Sequence, residues 1–131
     1  MTIREYMEEN ILLLTTSPIV EHFQLDTRRE METDGYLRIR TKLIDETLLE
    51  VSIYCQIHED VVRLIDYRFH WQDKDGKLKV RWDNARHHPE IKTFPHHMHI
   101  DEDGNVKEST EIDLWEILRA LESEVKEGNR K

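Results

Sequence analysis

Hydrophobic residues first recur at helical spacing and then at every second position. Ile3, Met7, Ile11 and Leu14 follow a Thr2-Ile-Arg-Glu5 capping box, which predicts a helix over about residues 3–15, stopped by Ser17-Pro18. From about residue 20, Phe23, Leu25 and Thr27 alternate with His22, Gln24 and Asp26, a strand of which only the first half reads as half-buried. Asp34-Gly35 is a hairpin signal, after which Leu37, Ile39, Thr41 and Leu43 alternate with Tyr36, Arg38, Arg40 and Lys42. A third strand places Leu49, Val51, Ile53, Cys55 and Ile57 on one side and turns at Glu59-Asp60. The fourth sets Val61, Arg63, Ile65, Tyr67, Phe69 and Trp71 against Val62, Leu64, Asp66, Arg68, His70 and Gln72. Asp75-Gly76 then leads into Leu78, Val80 and Trp82, facing away from Lys77, Lys79, Arg81 and Asp83.

The remaining elements are shorter. His97-Met98-His99-Ile100 alternates like a strand, and Asp103-Gly104 marks another turn. Thr110-Glu-Ile-Asp113 is expected to cap a last helix with an apolar stripe of Leu114, Ile117, Leu118, Leu121 and Val125. Strands in hairpin order with two amphipathic helices predict an α+β fold: an antiparallel β-meander of five or six strands with the N- and C-terminal helices packed on one face. At 131 residues the chain is expected to be one domain, 1–131.

The composition, 37% hydrophobic and 36% charged, fits a soluble globular protein, and no run approaches the ~18 apolar residues of a membrane span. The N-terminus lacks a basic segment followed by an apolar one, so a cytoplasmic protein is expected. Cys55, the single cysteine, lies in an apolar run and reads as a buried free thiol. The net charge of −9 opposes indiscriminate nucleic-acid binding, but residues 61–99 hold eight Lys or Arg against five acids. That stretch is a basic island in an acidic chain. The sheet face opposite the helices is expected to carry Arg38, Arg40 and Lys42, then Asp66, Arg68 and His70, then Lys79, Arg81 and Asp83.

Five of the eight histidines, His87, His88, His96, His97 and His99, lie between residues 81 and 100. Pro89 and Pro95 punctuate a loop over about 84–94, and His97 and His99 should point to one side of the strand that follows. Histidines in a cluster can supply a general base and a general acid together, and with Arg81 or Arg68 to stabilise a developing negative charge they suit phosphoryl chemistry. The same His97, His99 and His88 can instead ligate zinc or another divalent metal, with His87 or Asp83 as a further candidate. A third possibility is structural: the histidines tie the loop to the sheet, Trp82 joins the core, and Asp83 and Asn84 cap the turn. The segment His97-Met-His-Ile-Asp101 has Asp101 where a histidine triad needs its third histidine. With no glycine-rich phosphate loop and no Gly-x-Ser-x-Gly elbow, nucleotide-fuelled chemistry is not expected.

Several of these stretches occur together in one known family. Arg81-Trp-Asp-Asn-Ala85, His87-His-Pro-Glu90 and Phe94-Pro-His-His-Met-His99, preceded by Tyr67-Arg-Phe-His-Trp-Gln-Asp73, resemble the TumE family of small prokaryotic proteins. The resemblance extends to Ser17-Pro-Ile-Val20 and Gly35-Tyr-Leu-Arg38, and departs at Arg86, where the family frequently has proline. It implies the toxin half of a toxin–antitoxin module, commonly partnered by a helix-turn-helix antitoxin, and leaves the biochemical activity open.

The residues themselves support three readings. A metal-independent ribonuclease would use a histidine of the 96–99 cluster as base, His88 as acid, and Arg81 or Arg68 on the phosphate. Arg38, Arg40, Lys79, His70, Asp83, Asn84, His87 and His96 would then line the RNA site. A metal-dependent hydrolase would use the same histidines, whereas a binding protein without catalysis would dock its antitoxin on the basic face. The long, charged first strand also suggests a homodimer by edge pairing.

Overall fold

Thr2 caps the first helix as expected: its hydroxyl accepts the Glu5 amide at 3.1 Å while Glu5 Oε1 accepts the Thr2 amide. The computed structural model describes residues 1–130. The elements run α1 (Ile3–Thr16), β1 (Val20–Glu30), β2 (Asp34–Leu43), β3 (Leu48–His58), β4 (Val61–Gln72), β5 (Leu78–Asp83), β6 (His97–Ile100), β7 (Val106–Glu108) and α2 (Leu114–Asn129). All seven strands form one antiparallel sheet in sequence order. The strand count therefore exceeds the expected five or six. The added strand, β7, has three residues and offers too short a stretch for alternation to register.

Both helices cover one face of the sheet. Leu37, Ile39, Val51, Ile53, Phe69, Trp71 and Trp82 form the core with Leu14 of α1 and Leu114, Ile117, Leu118, Leu121 and Val125 of α2. Ile3 and Met7 of α1 form a second cluster with the Cys55 thiol. The α2 cap lies three residues later than expected. Asp113 accepts the Glu116 amide at 2.9 Å and Glu116 Oε1 accepts the Asp113 amide, so Asp113 is the first residue of the capping box rather than the last.

Two register shifts change which side chains share a face. Opposite β3, the pairing passes from Tyr54↔Asp66 to Cys55↔Leu64, leaving Ile65 as the extra residue of a bulge. Tyr67, Phe69 and Trp71 face the helices as expected, but before the bulge Val62 and Leu64 do so in place of Val61 and Arg63. A second shift lies between Trp71↔Val80 and Gln72↔Leu78 and leaves Lys79 outside the regular pairing. Its Nζ sits 4.7 Å from the centre of the Trp71 ring and 3.2 Å from Glu124 of α2. Lys79 thus binds on the helix side and does not join the basic face.

Candidate active site

The open face of the sheet is built from cross-strand rows. One row reads Arg38 of β2, Ser52 of β3, Arg68 of β4, Asp83 of β5 and His97 of β6, each paired with the next. The adjacent row reads Arg40, Glu50, His70, Arg81 and His99. Strands lie ~4.8 Å apart, so four steps carry the first row ~19 Å from Arg38 to His97. Above the β4–β6 end lies a cleft of about 740 Å³ lined by Tyr36, Tyr54, Arg68, Asp83, His88 and His97, among others.

His97 and His99 sit under the 84–96 loop, only 2% and 4% exposed, on a face the helices leave uncovered. Their rings are fixed from behind. His97 Nδ1 lies 2.9 Å from the Pro95 carbonyl and His99 Nδ1 lies 2.6 Å from the Asp103 carbonyl. A carbonyl can only accept, so both rings carry their proton on Nδ1 and present Nε2 to the centre. There they meet one carboxylate: His97 Nε2 is 2.9 Å from Asp83 Oδ1, and His99 Nε2 is 3.5 Å from Asp83 Oδ2. Asp83 is itself held by the Ala85 amide at 3.0 Å and by Arg81 Nε at 3.2 Å.

His88 completes the group from the loop. Its ring lies edge-on to His97 with centres 4.9 Å apart, and its Nδ1 is 3.3 Å from Glu90 Oε1. Its side chain is 29% exposed, which makes it the one imidazole of the three that reaches solvent. Burial, the largest influence, pushes His99 below the ordinary imidazole range despite the opposing pull of the Asp103 carbonyl. Arg81, whose guanidinium binds Asp103 as well as Asp83, holds the Asp103 carboxyl below its usual range.

The remaining predicted residues divide by where their side chains end. His87 lines the cleft, and His70 lines a smaller recess of about 140 Å³ with Arg38 and Arg68. Burial first and Arg68 second hold His70 below the ordinary range, and its Nδ1 has no partner. Among the described residues, neither Arg38 nor Arg68 enters an ion pair, whereas Arg40 binds Asp26 at 2.8 Å. Asn84 serves the fold: its Oδ1 accepts the Tyr67 amide at 3.0 Å and its Nδ2 donates to the Ile65 carbonyl at 2.8 Å. These are the backbone groups flanking the β4 bulge. His96 lies behind the site, with Nδ1 2.8 Å from the Tyr67 hydroxyl.

The site also contains groups that the sequence reading did not assign to it. Tyr36, Ser52 and Tyr54 line the cleft. The period-two pattern of β2 and β3 places them on the open face beside Arg38, and that signal was sufficient to include them. The carbonyls of Pro95 and Asp103 left no side-chain signal.

This arrangement is carried by the same segments that resemble a known family. A family model described as Toxin TumE matches residues 9–128. The chain belongs to the TumE toxin family. No protein of curated function and no solved structure matches it. As a member of a toxin family it has a cognate antitoxin as its expected counterpart. No helix among the described residues is long and apolar enough to cross a membrane.

Proposed function

We propose that this TumE-family toxin acts by cleaving RNA. The observation that carries this reading is the row Arg38–Ser52–Arg68–Asp83–His97, in which two guanidiniums without an ion-pair partner lead across the open face to a buried imidazole–carboxylate centre. Uncompensated guanidiniums bind phosphate oxygens in a fork geometry that a carboxylate-paired one is not free to offer. Arg81 is paired twice, so Arg68 is assigned to the scissile phosphate and Arg38 to a neighbouring one. Tyr36 and Tyr54 offer aromatic surface for unstacked bases, as single-stranded RNA requires. His88, the imidazole that reaches solvent at the mouth of the centre, takes the proton of the attacking oxygen as it bonds to phosphorus and returns it to the leaving oxygen as the old P–O bond breaks.

The cognate antitoxin, of helix-turn-helix type in this reading, neutralises the toxin by covering the same basic face. Charge reversal at Arg38 is then expected to weaken both RNA and antitoxin binding, whereas His88→Ala weakens only cleavage.

The experiment is induced expression in a bacterial host, with growth and total-RNA integrity followed together, and a single-stranded RNA oligonucleotide assayed in parallel with purified protein. Growth arrest with fragmented RNA is expected, lost in His88→Ala and reduced in Arg68→Ala, with both variants folded. Arrest with intact RNA, or arrest unchanged in both variants, would overturn the reading.

A further inference from the structure

Neutral imidazoles cannot account for the centre as it stands. Both buried rings give their Nδ1 protons to carbonyls, so each Nε2 keeps only a lone pair and stands 2.9 or 3.5 Å from Asp83, whose carboxylate has only lone pairs to return. At 2.9 Å such a contact requires a positive species at the centre. A proton can bridge one of these contacts, but the carboxylate faces two imidazoles and a third ring stands beside them.

We propose that His88, His97, His99 and Asp83 bind one divalent transition-metal ion. Ligands ~2.0–2.1 Å from a common ion are ~2.8–3.4 Å from one another in octahedral to tetrahedral arrangements. Of the two His–Asp contacts, the one at 2.9 Å lies within that range and the one at 3.5 Å at its upper end. The ring nitrogens of His88, His97 and His99 lie within 4.8 Å of one another, so closing on an ion requires shifts of about an ångström, most readily by His88 on its loop. All three imidazoles also have what metal-bound histidines use to orient the ring: an acceptor on the far nitrogen, here the Pro95 carbonyl, the Asp103 carbonyl and the Glu90 carboxylate.

Charge and donor type define the ion. Asp83, Arg81 and Asp103 together carry a net −1 in their ordinary ionised states, leaving the centre receptive to a cation although Arg81 stands at its edge. Three imidazoles and one carboxylate suit zinc, cobalt, nickel or ferrous iron, not the oxygen-only preferences of magnesium and calcium. The ion would occupy the same centre as the ribonuclease reading uses, but its binding requires no RNA.

The test is titration of chelator-treated, full-length protein with Co(II), read by visible absorption, followed by displacement with Zn(II). Saturation at one equivalent is expected, lost in His88→Ala and Asp83→Asn or weakened by more than the roughly tenfold to hundredfold that removal of an outer-shell partner causes, and unchanged in the remote His58→Ala. Circular dichroism establishes that each variant is folded, and the more exposed His88 provides the test if Asp83→Asn does not fold. No saturable binding, or equal binding by wild type and folded His88→Ala, would overturn the site. Stoichiometric metal on a protein that leaves RNA intact would support this site and overturn the ribonuclease. RNA cleavage persisting in chelator, by protein without a Co(II) site, would do the reverse.

Discussion

Asn84 holds Tyr67 across the β4 bulge, its carboxamide oxygen 3.0 Å from the Tyr67 amide. The same carboxamide donates to the Ile65 carbonyl, so one side chain satisfies two backbone groups of β4 that lie beyond the end of β5, whose last pair is Arg68↔Asp83. The bulge reverses the facing of β4 before Ile65, while Arg68, beyond it, keeps the open face and pairs directly with Asp83.

Asn84→Ala is therefore expected to destabilise the protein by about 1–3 kcal/mol, the range for leaving a part-buried polar group unpaired. Asn84→Asp retains the acceptor-shaped group but loses the donor to Ile65 and faces a carbonyl with negative charge. Urea unfolding of both variants checks this, and stability within a few tenths of a kcal/mol of wild type would remove Asn84 from the account.

Gly35 sits beneath α1. A Cβ there would come within 2.7 Å of Ile3 Cγ2 and closer still to Met7 Cε, both from buried side chains. Gly35→Ala should cost about 1–3 kcal/mol by overpacking. Gly104→Ala meets nothing within 4 Å and should change stability little, which makes it the matched control in thermal unfolding.

Salt dependence separates the free guanidiniums from the paired one. For single-stranded RNA, Arg68→Ala and Arg38→Ala are each expected to lower the slope of log affinity against log salt by about 0.7, one phosphate contact apiece. Arg40→Ala, whose guanidinium already binds Asp26, should leave the slope unchanged. Fluorescence anisotropy at several salt concentrations measures all three.

Stability should fall on mild acidification. His70 and His99 are both held below the ordinary imidazole value, chiefly by burial, so the folded chain binds fewer protons than the unfolded one as pH falls. Their contribution is fully present above the unfolded value of ~6.5 and is lost as pH drops through the folded values. Arg68 and Arg81 reinforce the effect at His70, and Glu50 opposes it. Melting temperature, measured in chelator, is expected to decline below about pH 6.5, and less steeply in His70→Gln.

Local signals along the chain carried most of the architecture. The Thr2 capping box, the Asp34-Gly35 turn and unbroken alternation in β2 and β3 each act between near neighbours, and the structure follows them. Lys79 and the first half of β4 departed because two separate bulges each shift the phase by one residue, and Asn84, which binds the backbone beside the one in β4, lies 17 residues or more away in sequence. At the site, alternation brought Arg68, Asp83, His97 and His99 to one face. Asn84 and His96 came with the motif-rich stretch but bind the backbone and Tyr67 instead. The orientation of His97 and His99 depends on carbonyl groups, and a carbonyl is common to every residue.

The strict sequence order of the sheet has a consequence for synthesis on the ribosome. Strands β1 to β5 can pair in turn as they emerge, each with the strand just made, yet they contain Arg38, Arg68 and Asp83 without either buried imidazole. The centre closes only once His97, His99 and the Asp103 carbonyl have followed. A translation product abandoned before that point would carry Arg38, Arg68 and Asp83 without the two imidazoles, so the centre is assembled only after β6 and the Asp103 turn have been made.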